Sequence, residues 1–307
     1  MDEGMKKAAK ILNVHLTRNV EGLNLPIGKF KNELVAILRY SCDPCSSERI
    51  REELDILRPL DHKNVQKLIE STTINEDYFI CVLLMDLGSL KHAFLTAYPK
   101  GIPEAAISLI VRQLIDALAY IHDRQIIHRS VQCSHILLGS SGLVRLAGFH
   151  HSVLLPKCNR WIGIETQIHA FDESLEDSFS WLAPELLRQD INGYSYNSDV
   201  YSLGITICEM GNGFPPFEEM EPLQILYEKF RGSTPFLLDA QTCPADSEAL
   251  KIPSHEFSGA LHDLVQKCLT SQPTTRPTSI QLLEHPFLRV NNTAKTFQEL
   301  LPALKPL

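Results

Sequence analysis

The sequence lacks the long apolar runs, the excess of basic residues and the leader that mark membrane, nucleic-acid-binding and secreted proteins. Its longest apolar run among 307 residues, Tyr78 to Met85, is far too short to span a bilayer. Lysine and arginine number 29 against 37 aspartates and glutamates, so the formal net charge of −8 gives no field that attracts nucleic acid. The N-terminal residues lead into no signal-peptide core. We therefore expect a cytoplasmic protein that binds neither membranes nor nucleic acid.

Clustered cysteines are also lacking. Eight cysteines are scattered through the chain, and only Cys42 and Cys45 form a closely spaced pair. A zinc site requires a second pair of ligands at suitable spacing, and none stands out. The sequence therefore predicts reduced thiols and no metal site.

What the sequence does contain is a β-rich first third followed by a helical remainder. Runs typical of strands are Ile11 to Leu16, Glu33 to Arg39, Lys67 to Ser71 and Tyr78 to Met85. Residues 21–31, with Gly22, Pro26 and Gly28, are typical of a loop. A helical period of apolar residues runs from Ile107 to Ile121. The sequence predicts an α+β chain with an N-terminal extension at 1–10, a small β-rich lobe at 11–86, a larger helical lobe at 87–290 and a tail at 291–307.

Five motifs carry a specific resemblance. In chain order they are His128-Arg129-Ser130, Gly148-Phe149-His150, Ala183-Pro184-Glu185, Ser198-Asp199-Val200 and Thr275-Arg276-Pro277. They resemble the catalytic loop of protein kinases, the D-F-G and A-P-E motifs, the opening of the central helix, and the arginine that pairs with the A-P-E glutamate. The resemblance implies a bilobal protein-kinase-like fold, with a β-rich N-lobe and a helical C-lobe.

The same motifs lack the residues that transfer a phosphoryl group in kinases. Ser130 stands where the resemblance implies a catalytic aspartate, and a neutral serine is no base at neutral pH without a base of its own. His135 and Gly148 stand where kinases hold magnesium ions with asparagine and aspartate. Imidazole is a poor ligand for this hard cation, and glycine has no side chain. We therefore expect no phosphoryl transfer.

The third kinase strand usually reads V-A-I-K, and here the sequence is Val35-Ala36-Ile37-Leu38. Strand alternation places Ala36 and Leu38 on the cleft face and turns Arg39 away, whereas a register shift of one residue would bring Arg39 inward. The glutamate that pairs with the strand lysine in kinases has a counterpart in Glu53. Leu38 therefore stands where kinases grip the phosphates.

A glycine-rich loop is lacking before these strands. Val14 to Arg18 resembles the second strand of a kinase, and nothing before it resembles a first strand or the pattern G-x-G-x-x-G. We therefore expect a small lobe without strand 1 and without the roof of the nucleotide site, either because the chain starts late or because the roof is missing.

Further residues narrow the resemblance. They are the H-R-S motif, Ser134-His135-Ile136-Leu137, Gly148 and the run W-L-A-P-E-L-L-R-Q-D at 181–190. Together they resemble STRAD, the STE20-related adaptor pseudokinases, over residues 11 to 290. The resemblance implies an adaptor that binds and activates a serine/threonine kinase of the liver-kinase-B type, with an armadillo-like scaffold protein, in the cytoplasm and also in the nucleus. Two alternatives stay open: a magnesium-independent nucleotide-sensing switch and an unconventional active STE20-type kinase.

Nucleotide binding is a separate question, because adaptors of this family are thought to hold ATP without magnesium. The resemblance implies that these basic groups belong at the positions of Gln132, His135 and His150. Gln132 carries no charge, and the two histidines are only weak bases. The hinge backbone from Leu83 to Met85, with Val82 as gatekeeper, can bond an adenine ring. We expect no required cofactor, with ATP held without magnesium as the alternative.

Other residues are expected to maintain the fold. The resemblance implies that Asp199 fastens the backbone of the catalytic loop and that His128 packs beneath that loop. It also implies a buried ion pair between Glu185 and Arg276, which fixes the helical lobe.

The activation segment, residues 148–185, is the expected docking surface. Its first part carries Trp161, Ile162 and Phe171 among few charges, and aromatic anchors are favoured at binding hot spots. The alternative is that these side chains fold back onto the lobe, as most apolar side chains do. The family also favours a C-terminal Trp-Glu-Phe tail, whereas this sequence ends Leu304-Lys305-Pro306-Leu307. We therefore expect a scaffold protein to bind the body of the fold.

Overall fold

The N-terminal part of the chain is a five-stranded antiparallel sheet with a helix on each side. The computed structural model describes residues 3–20, 25–41, 44–155, 168–169, 171, 175, 178–188, 193–239, 242, 256–289 and 296–307. The strands are β1 (His15–Val20), β2 (Leu25–Phe30), β3 (Glu33–Tyr40), β4 (Leu68–Ile74) and β5 (Asp77–Leu83). Their order in the sheet is β1-β2-β3-β5-β4. The helices are α1 (Glu3–Ile11) and α2 (Pro44–Leu57).

The expectation that the first strand is missing is wrong. Residues 25–30, which were expected to lie in a loop, form β2 and pair with both β1 and β3. Gly28 is required there because a Cβ atom would lie 2.8 Å from the His15 carbonyl oxygen and would meet the Val14 side chain. Pro26 lies near the start of β2, opposite Asn19 of β1. The glycine that indicated a loop therefore allows two strands to approach closely. Residues 15–20 are the first strand of the sheet, not the second.

The predicted strand from Ile11 to Leu16 is also wrong in its first half. Residues up to Ile11 belong to α1, whose apolar face packs on the outer side of the sheet. Met5, Ala8 and Leu12 are buried against Val35 and Ile37 there. Because side chains alternate along β3, the even-numbered residues face the opposite side, towards the second lobe.

The C-terminal part is helical, with short strands at its junction with the sheet. The strands are β6 (Gly88–Ser89), β7 (Ile126–Ile127), β8 (Ile136–Leu138), β9 (Val144–Leu146) and β10 (Val153–Leu154). The helices are α3 (Leu90–Thr96), α4 (Glu104–Asp123), α5 (Pro184–Leu187), α6 (Asn197–Asn212), α7 (Pro222–Arg231), α8 (Gly259–Cys268), α9 (Ser279–Leu282), α10 (Pro286–Arg289) and α11 (Phe297–Leu300).

Two of these helices form the centre of the larger lobe. Helix α4 is long and apolar enough to meet the criteria for a membrane-spanning helix, but 11 of its 20 residues are buried within this lobe. A core helix meets the same criteria. Helix α6 is buried from Ser198 to Asn212. Its Gly204 lets α8 approach closely, because a Cβ atom there would lie 2.8 Å from Cys268 Cβ.

Candidate functional site: the cleft between the lobes

A cavity of about 580 Å³ lies between the sheet and the helical part, where the sequence predicts a nucleotide site. The predicted hinge residues Val82, Leu83 and Met85 line it. Ala36 of β3 and Leu137 of β8 also line it, so apolar side chains from both lobes face the cavity. The fold therefore presents a cleft of the size that small-molecule sites have.

The register of β3 places Leu38 in this cleft and Arg39 outside it. Leu38 lies opposite Ile80 of β5 and lines the cavity. Arg39 points to the other face, where its Nε donates a hydrogen bond to the Asp77 carboxylate at 2.8 Å. No cation from β3 therefore reaches the cleft.

Glu53 of α2 faces Leu38 across the same cleft. It is buried, lines the cavity and accepts a hydrogen bond from the Phe149 backbone. Burial raises the pKa of the Glu53 carboxyl to about 7, and the hydrogen bond from Phe149 opposes this rise. The neutral form of the carboxyl group is therefore populated near physiological pH.

The catalytic-loop position holds a buried serine bonded to its own loop. Ser130 is fully buried, and its hydroxyl lies 3.2 Å from His135 Nδ1 and 3.0 Å from Gln132 Nε2. His135 Nδ1 also lies 2.9 Å from the Ser130 carbonyl oxygen, so it donates its proton to that oxygen. The same nitrogen then has no lone pair to accept the proton of the Ser130 hydroxyl. His135 therefore cannot act as a base that activates Ser130 as a nucleophile.

The imidazole of His135 occupies the place where a side chain at position 148 would begin. Gly148 has a φ of +80°, and a Cβ atom built on it would lie 2.6 Å from His135 Nδ1 and Cδ2. The His135 ring therefore fits in this place only because position 148 is glycine. Neither residue offers an oxygen ligand to a cation.

A group of histidines lies around the same corner of the cleft. The His150 ring lies 5.3 Å from that of His135 and 4.1 Å from that of His151, measured between centroids. Burial lowers the pKa of His135, and burial with the neighbouring histidines lowers that of His150 to about 3. No cluster of His, Cys, Asp or Glu in the described part of the chain could hold a metal ion. With their pKa values lowered, the rings of His135 and His150 are neutral at physiological pH.

Asp199 at the start of α6 fastens the catalytic loop from below. Its carboxylate accepts hydrogen bonds from the backbone nitrogens of His128 and Arg129, both at 2.8 Å, and lies 2.9 Å from His122 Nε2. Burial raises the pKa of Asp199, but the interactions with His122 and His128 together outweigh burial and hold the pKa below its ordinary value. His128 is itself fully buried, with its ring edge against Phe149.

Glu185 and Arg276 form a bidentate buried ion pair across the helical lobe. The guanidinium nitrogens lie 2.7 and 3.2 Å from the two carboxylate oxygens. Arg276 also donates to the Asn197 carbonyl at 2.7 Å and the Thr270 carbonyl at 3.0 Å. The pair joins α5 to the start of α6 and to the segment before α9.

The start of the activation segment is held in place by groups of the same chain. Val153 and Leu154 form β10, which pairs with β7 beside the catalytic loop. The Arg129 guanidinium donates to the His151 backbone carbonyl and, at 3.2 Å, to the Tyr194 hydroxyl. The Arg129 guanidinium, next to Ser130, is therefore hydrogen-bonded to groups of the protein itself.

Comparisons with known proteins agree with this geometry. The family model described as Protein kinase domain matches residues 30–288. STE20-related kinase adapter protein alpha from Homo sapiens is 31% identical, with 93% of this chain and 73% of the relative covered. The Gallus gallus alpha protein is 30% identical over 93% of this chain and 81% of the relative, and the Caenorhabditis elegans protein strd-1 is 34% identical over 85% and 69%. The chain belongs to the STE20-related kinase adapter family.

The residues expected to form the docking surface of this adapter are only partly described. Trp161 and Ile162 lie outside the described residues. Phe171 is half-buried and packs against the apolar cluster beneath the segment, with its ring 6.4 Å from that of Phe179. This contact favours the alternative that Phe171 is held on the lobe. Leu154, in contrast, is 60% exposed.

A buried lysine of this adapter was not anticipated. Lys229 of α7 is 1% exposed, and its Nζ donates to the carbonyls of Phe179, Ser180 and Leu182 at 2.7, 2.8 and 2.6 Å. It thereby fixes the backbone just before the A-P-E motif. The only sequence signal is its spacing, four residues after the buried Ile225.

The last described residues also reach the cleft. Leu307 lines the cavity beside Gly88, and its backbone nitrogen donates to the Asp86 carbonyl at 2.7 Å. Arg18 of β1 donates to the Leu307 carbonyl oxygen. The residues before Leu307 are anchored in the core of the helical lobe by Phe297, Leu301 and Leu304. The sequence gives no apolar period that predicts the position of residues 297–307, because the buried residues there are few and separated by polar ones.

Proposed function

We propose that this chain is a catalytically inactive adaptor that binds and activates a serine/threonine kinase of the liver-kinase-B type, with an armadillo-like scaffold protein as third component. The observation that carries the proposal is the presence of His135 and Gly148 at the two positions where kinases hold magnesium. The His135 ring fills the space in front of Gly148, so neither position can hold magnesium. Kinases need both anchors together with a catalytic base, and losing one part of such a unit removes most of the rate.

Retention of the kinase shape supports the binding half of the proposal. Asp199, Arg129 and Lys229 hold the catalytic loop and activation segment through backbone contacts. An adaptor that works through its shape needs these contacts, whereas it has no use for a base or a metal. The client kinase would then meet a surface that requires no phosphorylation to form.

The activation segment is the proposed docking face. Leu154 is exposed at its start, and Trp161 and Ile162 follow it in the sequence. Apolar and aromatic side chains at the centre of an interface contribute most of the binding free energy. Phe171 contributes less in this arrangement, because its ring already packs on Phe179.

The experiment combines the purified chain with the client kinase, with and without the scaffold protein, and measures phosphorylation of a peptide substrate. The chain should raise the activity of the client and transfer no phosphoryl group when the client is omitted. The double variant Leu154→Ala/Trp161→Ala should weaken client binding by about 2 kcal/mol or more with little change in melting temperature.

Leu95→Ala is the matched control, because Leu95 is an exposed leucine of α3, outside the activation segment. It should bind the client as the unaltered chain does. Transfer by the chain alone that disappears on mutating the cleft would contradict the adaptor proposal, and unchanged binding of the double variant would contradict the docking face.

A further inference from the structure

The charges that line the cleft do not suit a nucleoside triphosphate. Among the described residues that line it, Arg49 and Glu53 are the ones with formal charges, and they are of opposite sign. A triphosphate brings several negative charges, and burying them requires cations or a metal ion in return. Leu38 contributes an apolar surface at the point where a cation would be needed.

Gln66 supplies an unusual polar group in this apolar setting. Its side chain is 6% exposed and lines the cleft. The Nε2 donates to the Leu83 carbonyl at 2.7 Å, which fixes the orientation of the amide. The Oε1 is buried and has no hydrogen-bond partner among the described residues. An unpaired buried acceptor destabilises the fold, so a donor placed here would be strongly favoured.

Glu53 gives the cleft a second polar contact. Its carboxyl lies in the same cavity, and burial raises its pKa to about 7, so its neutral form is populated near physiological pH. A neutral carboxyl can donate as well as accept a hydrogen bond. Most of the remaining wall is apolar, from Ala36 of β3 to Phe149 beside Gly148.

We propose that the cleft of this adapter is a binding site for an uncharged, flat and largely apolar molecule that donates a hydrogen bond to Gln66 Oε1. The cavity of about 580 Å³ accommodates a molecule of two or three fused rings. The proposal is independent of whether the chain activates a client kinase, because it concerns only the contents of the cleft.

A matched pair of probes tests the hydrogen bond. Isoquinolin-1(2H)-one is a neutral flat lactam with one N–H donor, and its N-methyl derivative differs only in lacking that donor. Saturation-transfer NMR titrations of the full chain should give an affinity about tenfold higher for the lactam than for its N-methyl derivative. Gln66→Leu should abolish this preference, and ATP should bind more weakly than the lactam.

Ala36→Leu tests the location. Ala36 lies on the roof of the cleft opposite Val82, so a larger side chain there should displace both probes. Melting temperatures show whether each variant folds. If a variant does not fold, the comparison of the two probes on the unaltered chain still tests the proposal. The proposal is overturned if neither probe binds, if the lactam has no advantage over its N-methyl derivative, if folded Ala36→Leu binds both probes unchanged, or if ATP binds more tightly than the lactam.

Discussion

The contact between Gly148 and His135 determines what can be restored at the metal site. Gly148 has a positive φ, and any side chain there would also meet the His135 ring. Gly148→Asp should therefore lower the free energy of unfolding by about 2–4 kcal/mol, from backbone strain and the clash together. His135→Asn in the same chain should recover the part that comes from the clash, as measured by urea denaturation.

Gly232→Asp is the control for backbone strain. Gly232 has a similar φ of +86°, but a Cβ atom there has nothing within 4 Å. This variant should lose only the strain contribution, and a second change at His135 should have no effect on it. Equal losses for Gly148→Asp and Gly232→Asp would contradict the account given for His135.

The Glu53 carboxyl makes stability depend on pH in an unusual direction. Its pKa is raised from 4.5 to about 7 in the folded chain, so the folded state binds the proton more tightly. Stability is therefore greatest below pH 4.5 and falls as the pH rises to about 7. Above that pH the free energy of unfolding is lower by about 3 kcal/mol, since each unit of difference between the folded and unfolded pKa corresponds to about 1.36 kcal/mol.

Glu53→Gln removes this dependence while it keeps an acceptor for the Phe149 backbone. The variant should be more stable than the unaltered chain by about 3 kcal/mol at pH 8, and by less than about 1 kcal/mol at pH 5. Denaturant unfolding at the two values measures this. Glu52→Gln, one residue earlier on an exposed side chain, is the control and should change neither value. A constant difference for Glu53→Gln across the range would rule out a raised pKa.

At the scale of elements, the Glu185–Arg276 pair joins three segments of the helical lobe. Arg276→Ala would leave the Glu185 carboxylate buried without its partner, which should cost about 3–5 kcal/mol in a urea titration. The surface pair between Arg289 and Glu284 is the comparison, because both side chains are mostly exposed. Arg289→Ala should cost less than about 1 kcal/mol. Similar losses for the two variants would mean that the buried pair does not anchor the lobe.

The elements predicted correctly are those with a strong apolar period. Helix α4 was predicted from residues spaced at helical intervals, and β3 from simple alternation, which also placed Leu38 in the cleft. Strand β2 was missed because Pro26 and Gly28 favour loops locally, and only the neighbouring strand explains them. Local preference is overruled where tertiary packing requires a small residue.

Parts of the site could not be predicted for a related reason. A single glutamine such as Gln66 has no pattern that marks it as a cleft residue, and its role depends on the distant Leu83 carbonyl. Lys229 reads as an ordinary surface lysine until α7 is placed against the backbone at 179–182. Motifs such as the one around Asp199 were recognisable because their spacing is local.

At the scale of the whole molecule, the contacts that hold the helical lobe in a kinase-like shape are separate from the positions where kinases perform their chemistry. Asp199 binds backbone, Glu185 binds Arg276, and Arg129 is bound by groups of the same chain. None of these contacts involves a nucleotide or a metal ion. A kinase-like shape can therefore be maintained by contacts that take no part in phosphoryl transfer, which is what the proposed adaptor requires.

The same separation predicts how ATP would behave in this cleft. Any affinity for ATP should be the same with magnesium as with EDTA, because Gly148 offers no ligand and His135 offers an imidazole in place of oxygen. Isothermal titration under the two conditions measures this. The double variant His135→Asn/Gly148→Asp restores two oxygen ligands without a clash, so it should acquire a magnesium-dependent gain in affinity. It should still transfer no phosphate, since Ser130 and Leu38 remain. A marked gain with magnesium in the unaltered chain would show that a metal site exists despite these replacements.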